Sequence, residues 1–308
     1  MKIIFFGTPR TALPILENLS KHHKVVAIVT LPDAPVGRSK KLQPNPVAKF
    51  AEGKNLPLLK PERVKSNTAL LDELQTFGAD VFIVVAYGKI LPIELINLPP
   101  LKTLNVHFSR LPQYRGPSPV QYALLNGNKD TAVTMLILDE ELDHGPILAQ
   151  QDVLIKPADT FPSLVERMSE MSAVLLLKIL PDYASGKLKP KEQVHSKASS
   201  TKIITKADGK INWEDTVEQI YNQFRAYTPW PGIWTTWQNQ TFKILECLPS
   251  PTKSIETKKS GTILENGLVV CRNNTLLELK QVQLAGKKPA DIKSFINGHR
   301  DFVGSSFD

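Results

Sequence analysis

Asn105-Val106-His107-Phe108-Ser109-Arg110-Leu111-Pro112 sets an amide and an imidazole two residues apart, and Asp143 follows 36 residues after the histidine (143 − 107) in Glu141-Leu142-Asp143-His144-Gly145. Residues i and i+2 of an extended segment point to the same side, so Asn105 and His107 can converge on one small group. Amide, imidazole and carboxylate together suit acyl transfer at a carbonyl. When an amine attacks, negative charge gathers on oxygen, where Asn105 Nδ2–H and a protonated His107 could stabilise it. Asp143 could orient the imidazole, hold it cationic or take the proton of the incoming amine. The chain has no Gly-x-Ser-x-Gly elbow, so Ser109 is a poor nucleophile and direct transfer without a covalent intermediate is simpler. Taken singly, these residues are a turn cap, a packed histidine and a surface carboxylate. Three of them in strand-end context favour a site.

The elements that must position them alternate in the first half of the chain. Short apolar runs at Lys2–Phe6, Val25–Thr30, Val81–Ala86, Leu104–His107 and Ala132–Leu138 are strand candidates. Amphipathic stretches at Thr11–Leu19, Pro46–Gly53, Thr68–Thr76, Pro119–Leu125 and Phe161–Ser185 are helix candidates. That alternation predicts a Rossmann-like, mostly parallel α/β sheet. In the longest helix Leu164, Met168, Met171, Leu175 and Ile179 form one stripe, read as core. Ligands of such sheets sit beyond the carboxyl ends of the strands, where strand order reverses. Asn105 and His107 end one strand, and Asp143 follows shortly after another.

Apolar periodicity lapses between Leu188 and Asn212, where Lys, Ser and Thr dominate, so 189–207 is expected to be an interdomain linker. Beyond a short helix at Thr216–Arg225, strand candidates lie at Ile233–Trp237, Thr241–Leu245, Gly261–Leu264, Leu268–Cys271 and Leu276–Val282. About five short strands with turns between them suggest a small OB-like β-barrel over 208–308, with a sandwich as alternative. Trp213, Trp230, Trp234 and Trp237 are expected to pack this domain rather than stack on bases.

With 308 residues, 42% hydrophobic and 22% charged, the chain has the composition of a globular protein with room for two cores. Its net charge of +8 admits a polyanionic partner, although solubility alone can account for such a surplus. Distribution is more telling. Residues 36–65 hold eight basic side chains (Arg38, Lys40, Lys41, Lys49, Lys54, Lys60, Arg63 and Lys65) against Glu52 and Glu62. Pro32, Pro35, Gly37, Pro44 and Pro46 make the start of this stretch a loop. A long basic loop suits phosphate contacts, with a solvated surface as the alternative.

Cys247 and Cys271 have no Cys-x-x-Cys spacing and read as reduced thiols of a cytoplasmic protein. No histidine pair has helical metal-site spacing, so no metal is expected. No apolar run is long enough to span a bilayer. Gly7-Thr8-Pro9 lacks both a dinucleotide fingerprint and a Walker lysine, and reads as a tight strand-to-helix turn. Tyr87-Gly88-Lys89-Ile90-Leu91-Pro92 ends a strand and either offers backbone to a heteroaromatic ring edge or is a plain loop.

These runs resemble one family, the methionyl-tRNA formyltransferases of the folate-dependent formyltransferase superfamily. The resemblance is carried by Phe5-Phe6-Gly7-Thr8-Pro9, Pro35 to Pro44, Ala86 to Pro92, Asn105 to Pro112 and Leu142-Asp143-His144-Gly145. It continues through Ile211-Asn212-Trp213, Arg225 to Gly232, Ala285 to Pro289 and Gly298-His299-Arg300. It implies a formyltransferase domain over 1–188, with Asn105, His107 and Asp143 catalytic and 10-formyltetrahydrofolate as donor. It implies folate contacts from Tyr87, Gly88, Ile90, Leu91, Ser109, Leu111, Pro112 and Leu138. It further implies contacts to methionyl initiator tRNA from Arg38, Lys40, Lys41, Lys206 and Lys210, in a protein acting as a monomer. Two departures stand out: Arg10-Thr11 replaces an acidic residue and Phe, and Arg110 replaces Leu. Rivals are a formyltransferase acting on a nucleotide-linked amino sugar and an RNA-binding protein with a degenerate catalytic domain.

Overall fold

The computed structural model describes residues 1–36, 41–254 and 258–308, which form two compact units. The first comprises Met1–Pro119, Asp130–Leu154 and Val165–Thr201; the second comprises Val120–Lys129, Ile155–Leu164 and Lys202–Asp308. The stretch expected as a linker therefore divides at Thr201, and its first part is integral to the first unit.

In chain order the first half runs β1 (Lys2–Gly7), α1 (Leu13–His22), β2 (Lys24–Val29), the paired strands β3 (Ala34–Val36) and β4 (Lys41–Gln43), and α2 (Pro46–Gly53). It continues with β5 (Leu58–Leu59), α3 (Thr68–Thr76), β6 (Val81–Val85), α4 (Ile93–Ile96), β7 (Thr103–His107) and α5 (Pro119–Leu125). Then come β8 (Asp130–Ile137), β9 (Ile147–Leu154) and α6 (Phe161–Ala184). β1 is apolar without alternation because both of its faces are covered: Ile3, Ile4, Phe5 and Phe6 are fully buried. Caps start the crossover helices. Asn45 Oδ1 accepts from Ala48 N at 3.0 Å ahead of α2, and Asn67 Oδ1 from Leu70 N at 3.1 Å ahead of α3.

Sheet order is β5-β2-β1-β6-β7-β8-β9, with β1, β2, β5, β6 and β7 parallel and β8 and β9 antiparallel. The chain winds outward from β1 to β2 and β5, then returns to β6 on the other side of β1. The order thus reverses between β1 and β6, and β7 is the next strand along. Strand β9 escapes the sequence pattern because Gln150, Gln151 and Asp152 are polar residues on a sheet edge. In α6 the expected stripe is offset. Met171 and Leu175 are only half buried, while Ser169 and Ser172 are fully buried. Arg110, the departure from the family pattern, bonds Asp130 at 2.6 Å and Asp152 at 2.5 Å, pinning its loop to β8 and β9.

The second unit carries α7 (Val217–Tyr227), β10 (Ile233–Trp237), β11 (Gln240–Lys253), β12 (Leu268–Val270), β13 (Thr275–Leu284), β14 (Ala290–Asp291) and α8 (Ile292–Gly298). The antiparallel order is β10-β11-β13-β12, with β14 added to β13. Gly261–Leu264 makes bridges rather than a strand. Ile263 pairs with Val269 of β12, Thr262 with Ser306, and Asp308 N donates to Thr236 O of β10. These links join the two edges, so the sheet closes as a barrel through irregular segments. Phe242, Phe295, Phe302, Phe307 and Trp237 fill it edge to face and stacked. Trp213 and Trp237 are buried as expected and Trp234 is half-buried, whereas Trp230, between Pro229 and Pro231, is 60% exposed.

Candidate active site

Three side chains from β7 and the loop after β8 meet at the carboxyl end of the first unit's sheet. Asn105 Nδ2 donates to Asp143 Oδ1 at 3.1 Å, and His107 Nδ1 faces Asp143 Oδ2 at 3.5 Å. Gly116 N donates to the same Oδ2 at 2.8 Å. His107 is 6% and Asp143 5% exposed, so this carboxylate is largely withdrawn from water and held by protein donors instead. The other ring nitrogen, His107 Nε2, donates to Tyr114 O at 3.0 Å. That bond places the proton of a neutral ring on Nε2. Nδ1 can then donate only from the imidazolium, which Asp143 is placed to balance.

The backbone around these groups is specialised. Asp143 has φ +52°, a left-handed conformation that an aspartate tolerates and that turns its carboxylate back toward β7. Gly116, at φ +103°, must be glycine: an added Cβ would lie 2.9 Å from Thr201 Oγ1 and 3.0 Å from Thr201 O. Gly145 has no room either, since a Cβ would lie 2.0 Å from Ile137 O.

The remaining sequence-derived residues divide by burial. Ala86, at φ +46°, and Gly88, at φ +91°, are exposed after β6, and Ile90 is 74% exposed there, an open backbone and apolar side chain suited to a flat ring. Tyr87 instead turns inward at 1% exposure, against Phe6 and within the cluster that includes Leu91 and, packed against it, Leu138. Its hydroxyl has no partner among the described residues, and burial pushes its pKa up to about 12. Thr8 Oγ1 donates to Tyr87 O at 2.9 Å, tying the ends of β1 and β6 together. Ser109 is fully buried and donates to Gln113 O at 2.6 Å, so its hydroxyl shapes the turn that includes buried Leu111 and half-buried Pro112. Lys41 is exposed at the start of β4, and Lys206 and Lys210 are exposed on the second unit. Arg38 and Lys40 lie outside the described residues.

Sequence reasoning missed Gly116, Tyr114, Arg115 and Gln193. The first two act through backbone atoms, which carry no residue signature. Among the described residues no group of three or more His, Cys, Asp or Glu could hold a metal ion, and no helix is long and apolar enough to cross a membrane.

The mostly parallel sheet carries the Asn, His and Asp cluster at the end of β7, one strand beyond the reversal of its order. Residues 1–180 match the formyl transferase family and residues 203–300 its C-terminal domain; the chain belongs to that family. Among curated relatives, it is similar to the methionyl-tRNA formyltransferase of Sulfurihydrogenibium sp., 37% identical with all of both chains covered. It is also similar to the methionyl-tRNA formyltransferase of Listeria innocua, 39% identical over 96% of this chain and 95% of that one. Solved structures share the fold. HypX of Aquifex aeolicus in complex with tetrahydrofolic acid superposes with a TM-score of 0.66 at 16% identity, over 98% of this chain and 48% of that one. The sugar 3N-formyl transferase WlaRD, solved with 5-N-formyl-THF, gives 0.64 at 21% identity over 94% and 99%.

Proposed function

We infer that this protein transfers a formyl group from 10-formyltetrahydrofolate to the α-amino group of methionyl initiator tRNA. The observation that carries the reading is the convergence of Asn105, His107 and Asp143 on one point, in a chain that matches methionyl-tRNA formyltransferases from end to end. The exposed turn after β6 suits the donor's planar ring. When bound, the donor supplies a formyl carbon attached to a nitrogen that can leave.

Each residue then has a share of the chemistry. One Asn105 Nδ2 proton is committed to Asp143, and the second is free to donate to the formyl oxygen as charge builds on it. His107, with Nε2 held by Tyr114 O, turns Nδ1 toward Asp143 Oδ2, so an Nδ1–H carried by the imidazolium is shared between that carboxylate and the same oxygen. Asp143 balances that charge, keeps both donors aimed and accepts the proton that the attacking amine must lose; as the donor's carbon–nitrogen bond breaks, the departing nitrogen takes that proton up and tetrahydrofolate leaves. A free α-amine with pKa near 8 is partly neutral at pH 7, so no strong base is required. Lys41, Arg38 and Lys40 in the basic stretch, with Lys206 and Lys210 on the second unit, are assigned to tRNA phosphates. The protein is assigned to the cytoplasm, acting as a monomer.

Supplying 10-formyltetrahydrofolate with charged initiator tRNA, and a nucleotide-linked amino sugar as the parallel acceptor, tests this reading. Formylmethionyl-tRNA is expected, reduced about 10²–10³-fold by Asn105→Ala, as for loss of one oxyanion donor. Formylated sugar without tRNA product would overturn the acceptor and keep the site.

A further inference from the structure

The segment after α6 contributes one deeply buried polar side chain to the first unit. Gln193 is 5% exposed, although its neighbours Glu192 and Val194 are exposed. Its Nε2 donates to Asp143 O at 2.9 Å and to Gly145 O at 2.8 Å. Its Oε1 accepts from Arg115 Nη2 at 2.7 Å and from Arg115 Nε at 3.2 Å. All of its hydrogen-bonding capacity toward these groups is used, and the amide spans two loops at once. One carries Asp143. The other carries Gly116, whose N–H donates to Asp143 Oδ2.

The surroundings keep that amide in place. Lys191 exchanges backbone hydrogen bonds with Ile147, both at 2.8 Å, which fixes the segment two residues ahead of Gln193. His195 accepts from Arg115 Nη2 at 2.9 Å, and its ring stacks on His144 at 4.1 Å between centroids. Arg115 N donates to Ser199 O, and Thr201 N to Arg115 O, at 2.8 Å each. Asp143 itself sits at φ +52°, in the turn whose carbonyls the Gln193 amide holds.

We propose that Gln193 is a positioning residue for the formyl-transfer site: its side-chain amide braces the carbonyls of Asp143 and Gly145 and so holds the Asp143 carboxylate on Asn105, His107 and Gly116. The proposal rests on Asp143 serving the chemistry as described above. Gln193 touches no reacting atom. Its effect on rate passes entirely through Asp143.

The test is a double-mutant cycle in single-turnover formylation of methionyl initiator tRNA, with Asp143→Asn, Gln193→Met, Gln193→Glu and the Gln193→Met/Asp143→Asn pair. Methionine keeps the length of glutamine without either polar group. Glutamate keeps the acceptor for Arg115 and removes the two donors. Gln193→Met is expected to lower the rate of the chemical step about 10- to 100-fold with KM for the tRNA within about 3-fold, a loss typical of misplaced catalytic groups. Gln193→Glu is expected to lose as much, although it retains Arg115. In the Asp143→Asn background Gln193→Met is expected to cost less than about 2-fold, because the group it positions is already gone. An equal loss in both backgrounds, or full activity in Gln193→Glu, would overturn the brace and leave only packing. A parental rate in Asp143→Asn alone would instead remove the assignment of Asp143 on which the proposal stands.

Discussion

Gly145→Ala is the sharpest perturbation the site allows, because it adds one methyl group and removes no chemical function. The new Cβ would stand 2.0 Å from Ile137 O and 3.1 Å from Ile137 C, where ordinary contact begins at 3.4 Å. The loop must therefore open by about 1.4 Å at this point (3.4 − 2.0). Ile137 cannot yield freely, since its N–H donates to Pro146 O at 2.9 Å and its strand pairs with β7 on one side and β9 on the other. The backbone of Gly145 does not lie at positive φ, so alanine suffers from crowding and not from its own conformation. Two residues away, Asp143 accepts bonds at 2.8 and 3.1 Å that a displacement of this size would break. Overpacking of this kind costs about 1–3 kcal/mol of stability. A displacement of about 1 Å in a positioned catalytic group costs roughly 10²-fold in rate. Single-turnover formylation with saturating donor and charged tRNA, read beside thermal unfolding and tRNA binding, separates these effects. The expected outcome is a rate lowered about 100-fold, a Tm lowered by a few degrees and unchanged tRNA affinity. A parental rate at a lowered Tm would refute the argument that the turn after β8 aims Asp143.

Three further outcomes are expected. Tyr87→Phe removes a buried hydroxyl that has no partner among the described residues, and it should leave formylation unchanged while raising stability by up to about 1–2 kcal/mol; a tenfold rise in KM for the donor would instead place the phenol against substrate. Burial raises the Cys271 thiol to about 12 and pushes the Cys247 thiol up further still, so neither should react with a disulfide reagent at pH 8 until denaturant is added; rapid labelling of the folded protein would contradict this. Lys41→Ala should weaken tRNA binding and lower the slope of log affinity against log salt by about 0.9 if that side chain neutralises one phosphate. An unchanged slope would move the contact elsewhere.

Much of the first unit was legible because its strands are continuous apolar runs and its helices are amphipathic. The runs at β1, β2 and β6 are buried on both faces, and α2 and α3 begin at Asn caps directly ahead of their amphipathic stretches. The errors have physical causes. Gln150 to Asp152 look like a loop because an edge strand tolerates polar residues on an exposed face. Trp230 looks like core by residue type alone, yet it stands 60% exposed. The stretch from Leu188 to Thr201 lacks periodicity because single backbone bridges and side-chain bonds hold it, rather than a buried stripe.

For the site, the sequence by itself determined the pairing of Asn105 with His107, since alternation along a strand is a local property of the backbone. It also determined the kinds of group available and the strand end that presents them. Only the tertiary structure decided that Asp143 returns to that pair across 36 residues (143 − 107), because loop closure depends on what the loop packs against. The same is true of the tautomer of His107 and of the two backbone contributions, Gly116 N–H and Tyr114 C=O. Every residue carries such an amide and carbonyl, so residue identity gives no sign of which ones reach the site. Gln193 is the plainest case: an unremarkable polar residue in the chain, it becomes a buried brace because the fold brings the carbonyls of Asp143 and Gly145 within 2.9 Å of one amide nitrogen.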